Sequence, residues 1–154
     1  MGKYGERAQA YFHKGYNCSQ SVVAAFAADL GLTEETALKI SCGFGGGVGR
    51  MREVCGAFTG LTAVIGMYYT DPADPNDKSR IYGMIQQLAA QFRAESGGGS
   101  IICRQLLGLE KPEGSPQAEP RTDTYYKKRP CAELVALAAD LAAAYMEAHP
   151  APRA

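Results

Sequence analysis

Apolar residues recur at three- and four-residue spacing along most of the chain, the pattern of amphipathic helices. Ala8, Tyr11 and Phe12 make a short stripe over residues 4–13, closed by Gly15. A second stripe holds Val22, Val23, Phe26, Ala27 and Leu30 and stops at Gly31. Asn17 opens it, with Gln20 placed to complete a capping box. Thr33 caps a third helix, with Glu34 and Glu35 at the positive end of its dipole. This helix runs into a glycine-rich turn, Gly43-Phe44-Gly45-Gly46-Gly47-Val48-Gly49.

A fourth helix, near 53–69, carries Val54, Ala57, Phe58, Leu61, Val64, Ile65 and Tyr68 on one face. Gly56 and Gly60 lie on another face and permit close approach of a neighbouring helix. Asp74-Pro75 starts the next helix, which points Ile81, Ile85, Leu88 and Phe92 inward and ends before Gly97-Gly98-Gly99. Ser100 caps a short helix through Leu107. From about 109 to 129 the chain holds Pro112, Pro116 and Pro120 and shows no helical period. The last helix begins at Pro130, packs Leu134, Leu137, Ala138, Leu141 and Tyr145, and finishes before Pro150.

No convincing strand alternation interrupts this series. The expected fold is therefore all-α. It is a single-domain bundle over 1–154, with its core at about 5–148. It has about six or seven helices and a long Pro-containing loop before the last one. Loops of that length often serve as lids or binding segments, although plain surface linkers also occur.

Hydrophobic residues at 46% and charged residues at 21% are ordinary for a globular domain. Sixteen basic residues balance sixteen acidic ones. No broad field is left to attract nucleic acid or anionic lipid. The cluster Lys127-Lys128-Arg129 reads as a solvated loop end. No stretch is long and apolar enough for a membrane span, and the first residues lack the apolar core of a secretory signal. The cytoplasm is the expected compartment, where the five cysteines should serve as thiols, metal ligands or transient redox pairs.

Four cysteines share one kind of position. Cys18 follows the cap Asn17, Cys55 lies in the first turn of its helix, Cys103 follows the cap Ser100, and Cys131 follows Pro130. A helix start presents unpaired N–H groups and the positive end of the dipole, and both favour thiolate over thiol. Convergence of the four starts would give an anionic sulfur cluster a favourable environment. A cysteine can equally be a small buried hydrophobe with no chemistry. Cys42 differs, because it ends a helix, where the dipole disfavours a thiolate, and it is assigned a structural place. There is no C-x-x-C, and the clustered run of bacterial ferredoxins is missing.

These positions resemble the C-GCAxxG-C-C family of redox-active proteins. The resemblance rests on Gly15-Tyr16-Asn17-Cys18-Ser19-Gln20, Gly45-Gly46-Gly47, Cys55-Gly56-Ala57-Phe58-Thr59-Gly60, Cys103-Arg104-Gln105-Leu106-Leu107-Gly108 and Cys131. The central motif here runs Cys-Gly-Ala-x-x-Gly, a departure from the Gly-Cys-Ala order of the label. The resemblance implies a redox role for Cys18, Cys55, Cys103 and Cys131, with Cys42 outside the pattern.

Other constellations are weaker. The segment Phe44–Arg52 could cradle an anion between glycine N–H groups, Arg50 and Arg52, but it lacks the context of a P-loop. A spacer that lets two helices pack closely is the plainer reading. A third reading has Gly45, Gly46, Gly47 and Gly56 supporting a bound centre from outside the ligand shell. His13 and His149 suit helix ends. Tyr68, Tyr69, Tyr125 and Tyr126 are candidates for an entry lip, although packing explains Tyr68 more simply.

Three functions follow. The leading one is electron transfer, with Cys18, Cys55, Cys103 and Cys131 ligating an iron–sulfur cluster or another thiophilic metal centre. It requires a redox partner protein or a small-molecule donor or acceptor. The second is thiol–disulfide exchange, in which the same cysteines are catalytic. The third is a structural zinc site, or no metal at all, in a helical interaction module.

Overall fold

The computed structural model describes residues 1–111 and 114–151, so Pro112 of the long loop and the last residues of the expected 1–154 domain lie outside the described residues. It contains eight helices and no strands among those residues: α1 (Lys3–His13), α2 (Cys18–Ala25), α3 (Glu34–Ser41), α4 (Gly56–Tyr69), α5 (Lys78–Glu95), α6 (Cys103–Leu106), α7 (Asp123–Lys128) and α8 (Cys131–Ala148). A 3-10 turn, Cys42–Phe44, continues from α3. The all-α, single-domain expectation holds.

The helix count exceeds the expected six or seven because α7 lies inside the segment read as a loop. Six residues are too few to show a helical period, but Thr122 caps them by accepting from the Tyr125 N–H. The capping signals read for α2 and α3 act as expected. Asn17 and Gln20 form a complete capping box, and Thr33 accepts from the Thr36 N–H. Three helices start later than the pattern suggested. α6 begins at Cys103 with Ile102 as its N-cap, so Ser100, read as the cap, stands outside the helix and accepts from the Ile102 N–H. α5 begins at Lys78 and α4 at Gly56, so Cys55 is the N-cap of α4 instead of lying in its first turn.

Helices α2, α4 and α8 form the centre, with α1 against α8 and α2, α3 on α2, and α5 on α4 and α8. Phe12, Phe26, Leu61, Ile65, Leu88, Phe92 and Val135 are almost wholly removed from water. Each such side chain contributes about 1.5–3 kcal/mol to folding. On α8 the buried face is Leu134, Val135, Ala138, Ala139 and Ala142, rotated from the expected stripe. Leu137, Leu141 and Tyr145 lie at its margin. Small residues at the centre let three helices meet closely.

The glycine pair of α4 does what its spacing implied. A Cβ on Gly60 would lie 2.9 Å from Val22 Cβ and 3.1 Å from the Ser19 carbonyl oxygen. One on Gly56 would lie 3.1 Å from Cys18 Cβ. Helices α2 and α4 therefore touch backbone to backbone, and this contact carries Cys18 up to the start of α4. The start of α1 is fixed from outside, by Asp140 of α8 accepting from the Gly2 and Gly5 N–H groups at 2.8 Å each.

Candidate functional site

Each cysteine of interest is placed by a distinct local device. Cys18 is the first residue of α2, held by the capping box, and Asn17 Nδ2 also donates to the Cys42 carbonyl at 2.8 Å. Cys55 and Cys103 are brought side by side by a short antiparallel bridge between Val54 and Ile102. Across it the Cys55 N–H donates to the Ile101 carbonyl at 2.7 Å and the Cys103 N–H to the Glu53 carbonyl at 2.6 Å. Cys131 opens α8 directly after Pro130.

These devices bring Cys18, Cys55, Cys103 and Cys131 to the wall of one cavity of about 370 Å³. All four are free thiols. Gly45, Gly46, Gly47 and Gly56 line the same cavity. A Cβ on Gly47 would stand 2.6 Å from Cys103 Cβ, so a side chain there would displace the cysteine. Gly46 and Gly47 also have positive φ, at 66° and 72°. Cys42, assigned a structural place by sequence, is instead exposed, at the rim of this cavity. Among the described residues no three His, Cys, Asp or Glu side chains are gathered as donors to a single metal ion.

The thiols are not electrostatically alike. Cys18 donates a hydrogen bond to Cys131, which pushes the Cys18 pKa well up, and burial and the neighbouring thiols act in the same direction. The same bond pulls the Cys131 pKa below its ordinary value, against burial and with help from Arg129, Arg121 and Arg52. Burial pushes Cys55, only 4% exposed, up to about 12, partly countered by the Ala57 and Phe58 N–H groups. Burial also raises Cys103, while Arg52 opposes it by donating from Nη1 to Cys103 Sγ at 3.8 Å.

The expectation that all four helix starts favour thiolate therefore fails at three positions. At Cys55 and Cys103 removal from water outweighs the partial charge of a helix terminus, and at Cys18 the hydrogen bond with Cys131 acts first and burial second. At Cys103 the helix is a single turn, with little dipole to offer.

Sequence reasoning picked out Arg50 and Arg52 but missed Arg121 and Arg129, which line the same cavity. Arg129, read as part of a solvated loop end, is 6% exposed and lines the cavity. Its Nη2 donates to Glu119 Oε1 at 2.5 Å. Arg50 and Arg52 Nη2 stand 3.6 and 3.9 Å from the same oxygen. Arg121 donates to the Phe12 and Tyr16 carbonyls and lies 4.1 Å from the Phe12 ring centre. Arg129 stands two residues before Cys131, the one signal that could have drawn attention to it. Of the four tyrosines considered for an entry lip, Tyr125 lines the cavity. Tyr69 packs elsewhere, its hydroxyl donating to the His149 carbonyl at 2.6 Å.

The glycine-rich segment is tighter than a spacer. Residues Gly46, Gly47, Val48, Gly49 and Arg50 run consecutively with φ between 55° and 72°, and Arg52 follows at 60°. Non-glycine residues there cost about 1–2 kcal/mol each. The N–H groups of Val48, Gly49, Arg50, Arg52 and Glu53 all bond to carbonyls of residues 43–47. Those amides are occupied, so the backbone anion cradle, the weaker of the sequence readings, does not form around them. The segment's arginine side chains face the cavity instead.

The family model C_GCAxxG_C_C, described as "Putative redox-active protein", matches residues 16–145. The chain belongs to this C_GCAxxG_C_C family. Among curated proteins nothing matches it, and among solved structures nothing matches. The match covers the cavity wall from Asn17 to Leu134, leaving out the lining residue Phe12. No described helix of this C_GCAxxG_C_C protein is long and apolar enough to cross a membrane.

Proposed function

We propose that this chain is an electron-transfer protein in which Cys18, Cys55, Cys103 and Cys131 hold an iron–sulfur or related multi-atom thiophilic centre. One observation carries the reading: four thiols from four separate helix starts line a single cavity of about 370 Å³. A single zinc ion needs every sulfur at about 2.3 Å from one point. Thiols spread around a cavity instead suit a larger centre. Four thiolates are also the usual protein complement of an iron–sulfur cluster.

A bound cluster supplies reversible one-electron chemistry. The chain supplies the rest. Burial shields the sulfurs of Cys55, Cys103 and Cys131, and Cys18 is half-buried. Arg52, in contact with Cys103, and Arg129, beside Cys131, offset negative charge there. Net charge, hydrogen bonds to sulfur and exposure are the quantities that set such potentials. Gly47 and Gly56 keep the space beside Cys103 and Cys18 clear. Electrons would pass to a redox partner protein or a small-molecule donor or acceptor at the cavity mouth.

A second reading has its own observation, the hydrogen bond from Cys18 to Cys131. In it the Cys131 thiolate attacks a disulfide of the substrate, forming a mixed disulfide and releasing one substrate thiolate. Cys18, losing its proton, then attacks Cys131 Sγ and releases the second. The substrate gains two electrons, and the protein is left with a Cys18–Cys131 disulfide.

Anaerobic purification followed by a visible spectrum and iron and sulfide analysis separates the two. Stoichiometric iron and sulfide with charge-transfer absorption supports the centre. A colourless, iron-free chain with a reversibly formed Cys18–Cys131 disulfide overturns it in favour of exchange.

A further inference from the structure

We infer that Arg50, Arg52 and Arg129 form a binding site for a small carboxylate, which Glu119 occupies as a built-in competitor when residues 115–121 lie over the cavity. The inference rests on the redox reading above and names the chemical class of what reaches the cysteines.

Three guanidinium groups meet at one carboxylate oxygen. Arg129 Nη2 stands 2.5 Å from Glu119 Oε1, Arg50 Nη2 3.6 Å and Arg52 Nη2 3.9 Å. Guanidinium groups present planar, forked donors suited to a carboxylate, and Arg52 and Arg129 are held in place by burial. The backbone adds a second indication. Arg50 and Arg52, like Val48 between the glycines, adopt positive φ in a segment that uses glycine at 46, 47 and 49. Glycine would take the same conformation without strain. Two basic side chains are thus presented against the preference of their own backbone.

The segment that carries Glu119 is built to leave. Residues 115–121 form neither helix nor strand, and Pro116, Ala118 and Pro120 are exposed. Its ties are polar. Arg50 Nη1 donates to the Ser115 carbonyl at 2.8 Å, Glu119 meets the arginines, and Arg121 bonds to the Phe12 and Tyr16 carbonyls. A carboxylate that engages Arg50 and Arg129 competes with the first two ties together. Such a ligand would then sit beside the sulfurs, since Arg52 contacts Cys103 Sγ and Arg129 is separated from Cys131 only by Pro130.

The test is calorimetric titration of the full, reduced chain with succinate, with sulfate as comparison. Glu119→Gln should bind succinate about tenfold tighter than the unaltered chain, because the competitor for the site is gone. Arg50→Gly removes a guanidinium while relieving its positive φ, and it should weaken binding about tenfold, with a thermal melt of the same sample showing that the variant is folded. Succinate should also speed hydrogen exchange in residues 115–121. Absence of succinate binding in both the unaltered chain and Glu119→Gln overturns the inference, as does weaker binding by Glu119→Gln. Sulfate binding as tightly as succinate overturns the carboxylate assignment. Iron, sulfide and thiol content are read on the same samples. An intact redox centre with no succinate binding removes this inference alone, and succinate binding without any redox centre removes the proposed function and leaves the carboxylate site.

Discussion

The Cys18 thiol donates to the Cys131 sulfur, and this one bond drives the two pKa values apart, Cys18 up and Cys131 down. Both residues open their helices, so position along the helix does not distinguish them. What does is the direction of the proton and the company of Arg129, Arg121 and Arg52 around Cys131.

In the metal-free, reduced chain Cys131 should therefore react with iodoacetamide at lower pH than a free thiol, whose pKa is about 8.5. Peptide mapping after labelling at a series of pH values reads this directly. Cys18→Ala removes the donor and should move the Cys131 midpoint upward. Cys18 labelled ahead of Cys131 would show that the proton lies the other way.

The same buried thiols set the alkaline limit of the metal-free chain. A thiol whose pKa is raised by folding contributes stability that is full below its unfolded value, about 8.5, and is lost as pH rises toward the folded one. For Cys55, pushed up to about 12, the loss approaches about 1.4 kcal/mol per pH unit in that window. Cys18 and Cys103 add in the same sense, and Cys131 opposes. Denaturant unfolding at pH 8 and at pH 10 should show the fall, and Cys55→Ala should shallow it. A pH-independent midpoint would contradict the burial assigned to these sulfurs.

Two glycines of α4 make a matched pair for testing the α2–α4 contact. Gly60→Ala places a methyl 2.9 Å from Val22 Cβ and should destabilise by about 1–3 kcal/mol. Gly66→Ala meets nothing closer than Thr70 Oγ1 at 4.0 Å and should stabilise by about 0.5–1 kcal/mol through helix propensity. Thermal melts of the two variants check this, and equal effects would mean that the helices do not approach as described.

Much of this was legible in residue pattern. The Asn17–Gln20 and Thr33 caps, the all-α class and the Gly56–Gly60 contact face follow from local chemistry, and local chemistry decided them. The helix starts of Cys18 and Cys131 were legible for the same reason, whereas Cys103 opens α6 from Ile102 and not from a Ser100 cap. Their meeting was not, because it depends on a bridge between Val54 and Ile102 and on helix contacts between remote segments. Arg129 escaped notice because a basic residue after two lysines carries no mark of burial until Glu119 is brought against it. The thiol pKa values escaped because desolvation is a property of the folded cavity and not of helix position.

The central claim, that four cysteines act as one unit, is tested most directly by single replacements. Iron and sulfide content and visible absorption should be measured for Cys18→Ser, Cys55→Ser, Cys103→Ser, Cys131→Ser and Cys42→Ser, each purified anaerobically. The expected result is loss of the centre in the first four and its retention in Cys42→Ser. Equal retention in all five would contradict the account.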